Sequence, residues 1–215
     1  MADDQVAPTT QAGVGPMGET RTVVATLRDA TANPGPLGLT AFGMTTLLLN
    51  FQNAGIIKMS AMILSTGFFL GGAAQVIAGI MEWKKNSTFG MTAFLSYGFF
   101  WLTFVGLFAF PKWMGVAAAA PNALGWYLAA WGFFTALMFV GTLRINRSLQ
   151  TVFLSLTILF ALLAIAEWTG NATIGKVGGW EGIFVGLSAI YGSIAQLWNE
   201  LYGRVVLPLG PYKTK

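Results

Sequence analysis

The chain has 215 residues, of which 55% are hydrophobic and 9% charged, with a formal net charge of +4. Soluble domains carry about 25% charged residues, so this composition predicts a membrane protein whose apolar surface faces lipid. Cysteine and histidine are both absent from the sequence, which excludes disulfides, thiol nucleophiles, imidazole acid–base chemistry and Cys/His zinc sites. The basic residues are scattered instead of forming the patch that nucleic-acid binding requires. We therefore expect no metal, no cofactor and no enzymatic activity.

The chain begins with a polar segment and continues as alternating apolar stretches and short polar breaks. Residues 1–32 lack the basic start and apolar core of a signal peptide, and we expect them to form a disordered cytoplasmic tail. Residues 33–204 are predicted to form an all-α membrane domain, and residues 205–215 a cytoplasmic C-terminal tail. Each predicted transmembrane helix is near the ~20 residues that cross ~30 Å of hydrocarbon. The six predicted spans are 37–54, 60–81, 89–110, 123–143, 149–168 and 179–200.

The distribution of basic residues predicts how the chain is oriented, since six spans place both termini on one side. Nine Lys and Arg residues lie on the side of the termini, namely Arg21, Arg28, Lys84, Lys85, Arg144, Arg147, Arg204, Lys213 and Lys215. The opposite side carries three, which are Lys58, Lys112 and Lys176. Cytoplasmic loops are enriched in Lys and Arg, so both termini are predicted to be cytoplasmic. Most Trp and Tyr residues lie near span ends, as is typical of an aromatic belt.

A short motif recurs at the start of the odd-numbered spans, as LGLTAF (37–42), FGMTAF (89–94) and the weaker LQTVF (149–153). The recurrence favours three parallel helical-hairpin repeats around a central pore, with chance similarity as the alternative. The repeat places Phe42, Phe94 and Phe153 at similar depth, followed one turn later by Thr45, Tyr97 and Leu156. A ring of large apolar side chains is one way to gate a pore by excluding water.

Glycine spacing predicts close helix packing, through the GxxxG pairs Gly67/Gly71, Gly178/Gly182 and Gly182/Gly186. These pairs do not identify which helices meet.

Charged side chains are predicted to avoid the middle of the spans. Glu82, Glu167, Glu181 and Glu200 all fall at predicted span ends. We therefore expect no intramembrane carboxylate of the kind that relays protons in many pumps.

Neutral polar residues within the spans are the candidates for a substrate path, and they include Thr45, Thr46, Asn50, Asn53, Gln75 and Thr92. Thr46, Asn50 and Asn53 share one helix face at i, i+4, i+7 spacing, with Phe42 one turn below. We favour a pore-facing position for this stripe because unpaired amides facing lipid are costly. For any single Thr or Ser, a hydrogen bond to the i−4 carbonyl is the alternative.

One motif carries a family resemblance. Asn33-Pro34-Gly35-Pro36-Leu37-Gly38-Leu39 closely resembles the Asn-Pro-Ala-Pro-Leu-Gly-Leu signature of the acetate uptake transporter family, the succinate–acetate permease type. The departure at Gly35, where the family usually has alanine, removes no functional group. The resemblance covers about residues 33–210 and continues in FGMTTLLLN (42–50), NSTFGMTAFLSYGFFWLT (86–103), GTLR (141–144), SLTILFALLAI (155–165) and GRVVLP (203–208).

The resemblance implies a six-helix protomer in the plasma membrane of a prokaryote, homohexameric, with a separate path through each protomer. It implies acetate and succinate as substrates, carried by proton symport or through an anion channel. It also implies a constriction formed by Phe42, Tyr97 and Leu156. These match the Phe after the signature, the Tyr of Ser-Tyr-Gly and the Leu of Ser-Leu-Thr.

The signature itself is interpreted as irregular backbone at the cytoplasmic mouth, where Asn33, Pro34 and Pro36 would line the path. The alternative is an ordinary helix start with Pro in the first turn. Two other functions stay open at this point: a channel for a neutral small solute, and a membrane scaffold that transports nothing.

Overall fold

The computed structural model describes residues 9–14, 20–25 and 31–212. Thr9–Val14 (β1) pairs antiparallel with Thr20–Ala25 (β2), so that Thr9 lies opposite Ala25 and Val14 opposite Thr20. The expected disorder of residues 1–32 falls mainly on residues outside these ranges and stays a prediction, and residues 213–215 also lie outside them.

Helices make up most of the chain from residue 35 onward. The six helices of the described residues are α1 (Gly35–Asn53), α2 (Ala61–Lys84), α3 (Thr88–Met114), α4 (Pro121–Thr142), α5 (Arg147–Thr169) and α6 (Ala172–Leu201). Of these, α2 to α5 are long and apolar enough to cross a membrane. The middle of α2, Gly67–Ala74, is π-helical.

Short polar residues fix where three helices begin. The side chains of Ser87, Asn146 and Asn171 accept hydrogen bonds from backbone N–H groups in the first turns of α3, α5 and α6. Such caps satisfy donors that a helix start leaves open. Gly115 and Gly170 end α3 and α5 in the left-handed conformation, with φ of 65° and 64°, which glycine adopts at no steric cost.

Two predicted helix boundaries are wrong for the same reason, which is that polar residues inside these helices resemble a break between spans. The last helix was predicted from 179 and begins at Ala172, because Asn171 caps it. Glu181 therefore lies nine residues inside α6 (181 − 172) and not at its end. At the other boundary, α3 continues through Pro111 and Lys112 to Met114, beyond the predicted end at 110.

The signature segment is only partly irregular. Asn33 and Pro34 precede α1, whereas Gly35 and Pro36 form its first turn. The ordinary helix start therefore accounts for Pro36, which needs no N–H donor at that position.

The most extensive contacts between helices pair α1 with α6, α4 with α5 and α2 with α3, and α5 also packs along α6. Each of the first three pairs joins the second helix of one predicted hairpin to the first helix of another. The backbones of α3 and α4, which form one predicted hairpin, make little contact with each other.

Glycines allow α6 to approach α1 closely. A Cβ atom placed on Gly182 would lie 2.0 Å from Asn50 Cγ, and one on Gly186 would lie 2.8 Å from the Gly43 carbonyl oxygen. Gly178 faces Leu163 of α5 instead. The GxxxG pair formed by Gly178 and Gly182 is therefore divided between two neighbouring helices.

An aromatic cluster centred on Phe100 fills the middle of the bundle. Its ring packs against those of Trp101, Tyr127, Trp131 and Phe160, with centroid separations of 5.2 to 5.8 Å. Since these rings come from α3, α4 and α5, the cluster holds α4 beside α3 through side chains where backbone contact is sparse.

Candidate functional site

Two cavities lie within the described helices. The first, of about 640 Å³, is lined by residues at the starts of α1, α3 and α5 and at the ends of α2 and α6. The second, of about 380 Å³, lies toward the opposite ends of the helices and is lined by residues such as Asn53, Met59 and Leu163. Phe42 and Leu156 line both cavities. The two cavities therefore meet at these two side chains.

Phe42 on α1, Tyr97 on α3 and Leu156 on α5 come together at this junction, and we call them the Phe42–Tyr97–Leu156 cluster. All three side chains are at most 5% exposed. The rings of Phe42 and Tyr97 are 5.6 Å apart, and Tyr97 lines the first cavity only. Phe153 packs 5.9 Å from Tyr97 on the side of the first cavity, and Phe94 also lines that cavity.

The hydroxyl group of Tyr97 is engaged by α4. Thr135 donates its hydroxyl proton to the Trp131 carbonyl oxygen at 2.7 Å, so Tyr97 is the donor in the 2.8 Å bond to Thr135 Oγ1. The phenol proton is therefore unavailable to a molecule in either cavity. The Phe42–Tyr97–Leu156 cluster consequently presents aromatic and aliphatic surface to its surroundings.

The predicted mouth residues Asn33 and Pro34 line the first cavity. Asn33 donates from Nδ2 to Gln196 Oε1 at 3.2 Å and accepts from the Gly35 N–H at 2.9 Å. A Cβ atom on Gly35 would lie 2.6 Å from Gln196 Oε1. The glycine at the departure from the signature thus makes room for Gln196 beside Asn33.

Pro36 does not line either cavity. Its carbonyl oxygen accepts a hydrogen bond from the Ser193 hydroxyl at 2.7 Å, which ties the first turn of α1 to α6.

Gln75 is the one predicted path residue on α2. It follows the π-helical segment directly, is 1% exposed and lines the first cavity. Its Oε1 atom has no hydrogen-bond partner. Short π-helical segments occur frequently at functional sites.

The stripe of Thr46, Asn50 and Asn53 lines the second cavity together with Phe42. Asn50 donates from Nδ2 to the Thr46 carbonyl oxygen at 2.8 Å and accepts from Asn53 Nδ2 at 3.0 Å. The Thr46 hydroxyl oxygen is buried and has no hydrogen-bond partner. The two amides are thus linked to each other and to the backbone, and the hydroxyl is left unpaired.

Two other predicted path residues line neither cavity. Thr45 is 1% exposed and donates to the Ala41 carbonyl oxygen at 2.8 Å, so the i−4 hydrogen bond applies to it. Thr92 is partly buried near the start of α3 and is absent from both cavity walls.

Trp101 is a site residue that sequence reasoning missed. It lies midway along α3, is 2% exposed, lines the second cavity and leaves its indole Nε1 without a hydrogen-bond partner. The available signal is its position, because a tryptophan in the middle of a span is not accounted for by an interfacial aromatic belt.

The end of the chain also contributes to the first cavity. Backbone N–H groups of Arg147 and Ser148 donate to the carbonyl oxygens of Gly210 and Leu209, at 2.9 and 3.1 Å. Leu209 lines the first cavity as a result. The described part of the predicted C-terminal tail is therefore folded back on the start of α5.

Two acidic residues differ in how they relate to the cavities. Glu82 lines the first cavity near Ser87 and Lys85, at the end of α2. Glu181 lines neither cavity, and its carboxylate accepts a hydrogen bond from the buried Ser155 hydroxyl.

Comparison with known proteins places the chain in a family. Residues 18–211 match the GPR1/FUN34/yaaH family. The chain is 55% identical over 181 residues to the succinate-acetate/proton symporter SatP of Escherichia coli strain K12, a match covering 83% of this chain and 95% of that protein. It is 37% identical over 173 residues to ammonia transport outward protein 2 of Saccharomyces cerevisiae, covering 76% of this chain and 61% of the relative. A solved structure of the bacterial acetate channel SatP matches with a TM-score of 0.82 and 53% identity, covering 84% of this chain and 99% of that one.

Proposed function

This chain belongs to the GPR1/FUN34/yaaH family, and from that premise we propose that it transports small carboxylates such as acetate and succinate across a membrane. The matches to the relatives named for this activity cover most of this chain and most of each relative. These relatives are named as a symporter and a channel, which supports a transporter and not an enzyme.

The observation that carries the proposal is the junction of the two cavities. Phe42 and Leu156 line both of them, and Tyr97 packs against Phe42 at the same place. In our proposal the cavities are the two halves of one path through the protomer, and the Phe42–Tyr97–Leu156 cluster is its constriction. The polar residues Asn33, Gln75, Thr46, Asn50 and Asn53 then replace part of the hydration shell of the solute on either side.

The chemistry of the constriction favours solutes that carry no net charge when they cross it. Its side chains are apolar, and the Tyr97 hydroxyl is engaged by Thr135, so an anion would lose water there without gaining a donor. A carboxylic acid with a pKa of ~4.3 is nearly all anionic at neutral pH. Entry of that anion against an inside-negative potential costs about 2.3 kcal/mol per 100 mV. Accompaniment by one proton removes this cost, which favours symport over an anion channel.

We further propose that all six helices span the plasma membrane of a prokaryotic cell, with both termini in the cytoplasm. The first cavity then opens to the cytoplasm, since it lies beside the basic segments that contain Lys85 and Arg147. The contact between the second helix of one hairpin and the first helix of another occurs three times, as α6 with α1, α2 with α3 and α4 with α5, and this repetition supports three parallel repeats. A homohexamer, implied by the resemblance to the acetate uptake family, completes the proposed assembly.

The test is uptake of labelled acetate and succinate into proteoliposomes, with and without an inward proton gradient. Protein-free liposomes are the control, because neutral acetic acid crosses lipid unaided. Uptake above this control that rises with the gradient is the expected result. Protein-dependent uptake that ignores the gradient would instead indicate an anion channel, and no uptake above the control would support the membrane scaffold.

A neutral-solute channel is the second candidate, and one observation favours it specifically. The yeast relative is named for ammonia transport, and an apolar constriction passes a small neutral molecule without charge compensation. This function predicts uptake that is insensitive to both the proton gradient and the membrane voltage. The proton gradient separates it from proton symport, and a potassium diffusion potential imposed on the same proteoliposomes separates it from carriage of an anion.

A further inference from the structure

The part of the chain that follows α6, residues 205–212, crosses from α6 to the start of α5, and we call it the C-terminal segment. Asn199, near the end of α6, donates from Nδ2 to the Leu207 carbonyl oxygen at 2.9 Å and accepts from two backbone N–H groups of the segment at 2.7 and 3.0 Å. Tyr191 donates its hydroxyl proton to the Pro208 carbonyl oxygen at 2.8 Å. These bonds fix the first half of the C-terminal segment on α6.

The second half of the C-terminal segment is bonded to the start of α5. A helix leaves its first N–H groups without partners inside the helix. The side chain of Asn146 accepts from one of these groups in α5, at 2.8 Å. Two others, those of Arg147 and Ser148, donate to the carbonyl oxygens of Gly210 and Leu209. The C-terminal segment therefore supplies acceptors that the start of α5 needs.

The far end of the C-terminal segment is also anchored beside α5. Tyr212 donates its N–H to the Ile145 carbonyl oxygen at 3.3 Å and its hydroxyl proton to Gln150 Oε1 at 2.5 Å. Gly210 has a φ of 65°, and a Cβ atom on it would lie 3.0 Å from Arg147 Cβ. Glycine at this position therefore allows both the left-handed turn and the close approach to α5.

Leu209 is the residue of the C-terminal segment that lines the first cavity. The carbonyl oxygen of Pro208 before it is bonded to α6, and that of Gly210 after it is bonded to α5. A residue on a free tail has no defined position at a cavity, whereas these bonds define the position of Leu209.

The part of the first cavity where Leu209 lies is otherwise rich in polar side chains. Asn33, Lys85 and Glu200 line the cavity there, and each lies at or beside the end of a helix. These residues therefore mark the mouth of the cavity. Because Leu156 lies where the first cavity meets the second, Leu209 and Leu156 lie at opposite ends of the first cavity.

We propose that Leu209 narrows the path at its cytoplasmic mouth and limits the size of the solute that passes between the first cavity and the cytoplasm. The inference rests on the proposed function, which makes this cavity one half of a path. Apolar side chains restrict a pore both by their bulk and by excluding water. The path then has two restrictions in series, the Phe42–Tyr97–Leu156 cluster and Leu209, and the second belongs to a part of the chain that the sequence predicts to be a tail.

The direct test measures access to the first cavity and needs no transport. Ala93 lines this cavity, and Ala93→Cys gives the full-length protein a single thiol because the natural sequence has no cysteine. In nanodiscs, fluorescein maleimide should label this thiol about tenfold faster when Leu209→Ala is added, the size of effect that a few lost methylene groups have in a selective pocket. Leu209→Phe should slow the same reaction. A small reagent, methyl methanethiosulfonate, should react at similar rates in all three proteins.

Leu207→Ala is the matched control, because Leu207 belongs to the same segment and lines neither cavity. It should leave the labelling rate unchanged. A labelling rate that does not respond to Leu209→Ala, or that rises equally with Leu207→Ala, overturns the proposal. Should Leu209→Ala not fold, Asn199→Ala provides the comparison, since it removes bonds that hold the segment on α6 and should also accelerate labelling.

Uptake of acids of increasing length into proteoliposomes is the second measurement, and it separates failure of this restriction from failure of the transport function. Leu209→Ala should raise the uptake of larger acids relative to acetate, and Leu207→Ala should not. If the wild-type protein takes up acetate and neither labelling nor acid preference responds to Leu209, the restriction is wrong and the transport function stands. If the wild-type protein takes up no acetate while labelling responds as expected, the transport function fails and the restriction at the cavity mouth stands.

Discussion

At the scale of single residues, Leu156 is the position where a small change should alter selectivity most. It is the aliphatic member of the Phe42–Tyr97–Leu156 cluster and lines both cavities. Leu156→Ala widens the junction and should increase uptake of a larger acid relative to acetate by about tenfold, as the loss of an apolar contact does in other binding pockets. Competition of labelled acetate with a series of acids of increasing length measures this change.

Leu159→Ala provides the matched control for that substitution. Leu159 is equally buried on the same helix but lines the second cavity only. An unchanged acid preference in Leu156→Ala, or the same broadening in both variants, would remove Leu156 from the constriction.

For Tyr97 we predict that stability changes and selectivity does not, because its ring and its hydroxyl group have separate roles. Tyr97→Phe keeps the ring that packs against Phe42 and removes the bond to Thr135. We expect a loss of about 1 kcal/mol in stability, the usual net value of one hydrogen bond, with acetate uptake and selectivity unchanged. Thermal unfolding in detergent and proteoliposome uptake measure the two effects. A large fall in uptake would show that the hydroxyl group takes part in transport.

At the scale of elements, the contact between α1 and α6 depends on glycine. Gly182→Ala would place a Cβ atom 2.0 Å from Asn50 Cγ, so either Asn50 leaves its position or the helices separate. Overpacking of this kind costs about 1–3 kcal/mol, and thermal unfolding should show the loss. Asn50 can therefore keep its position on the wall of the second cavity only because residue 182 has no side chain.

Gly175→Ala tests the same substitution in the same helix without the contact. The nearest atom to a Cβ on Gly175 is the Ala166 Cβ, at 3.8 Å. Removing a glycine from a helix interior should stabilise this variant by up to about 1 kcal/mol. An equal change in stability in the two variants would mean that packing against Asn50 does not determine the effect of Gly182→Ala.

Helices were predictable to the extent that apolar length and caps encode them. The six predicted segments each correspond to a helix, but α6 begins seven residues earlier than predicted because Asn171 caps it (179 − 172). The π-helical segment Gly67–Ala74 was not foreseen, since no composition or spacing distinguishes it from an ordinary apolar helix. The fold-back at Leu209 and Gly210 depends on backbone hydrogen bonds, which a sequence pattern does not display.

The site was predictable where several residues shared a pattern. The Thr46, Asn50 and Asn53 stripe follows helical spacing, and all three line the second cavity. Thr45 was grouped with the path by the repeat, but its side chain bonds to the backbone of α1. Trp101 was not predicted to line a cavity, because its place on the wall of the second cavity depends on how α3 packs, which is a property of the fold.

At the scale of the whole molecule, the distribution of basic residues indicates which of the two cavities a solute enters first during uptake. The first cavity is bordered by Lys85 and lies beside the start of α5 at Arg147, on the side that carries most basic residues. The second cavity lies toward the loops that carry Lys58 and the α3–α4 connection. If the basic side is cytoplasmic, a solute entering the cell meets the second cavity before the constriction. Orientation therefore decides in which order an entering acid meets the second cavity and the constriction.

Cysteine labelling determines that orientation, because the natural sequence contains no cysteine and one introduced thiol is the only target. Lys58→Cys and Val116→Cys lie in exposed connections on one side of the bundle, and Arg204→Cys lies in the exposed segment after α6 on the other. A membrane-impermeant maleimide should label the first two variants in intact cells and the third only after permeabilisation, as nine basic residues against three predict. Labelling of Arg204→Cys from outside would reverse the proposed orientation. The second cavity would then face the cytoplasm, and an entering acid would reach the constriction before the second cavity.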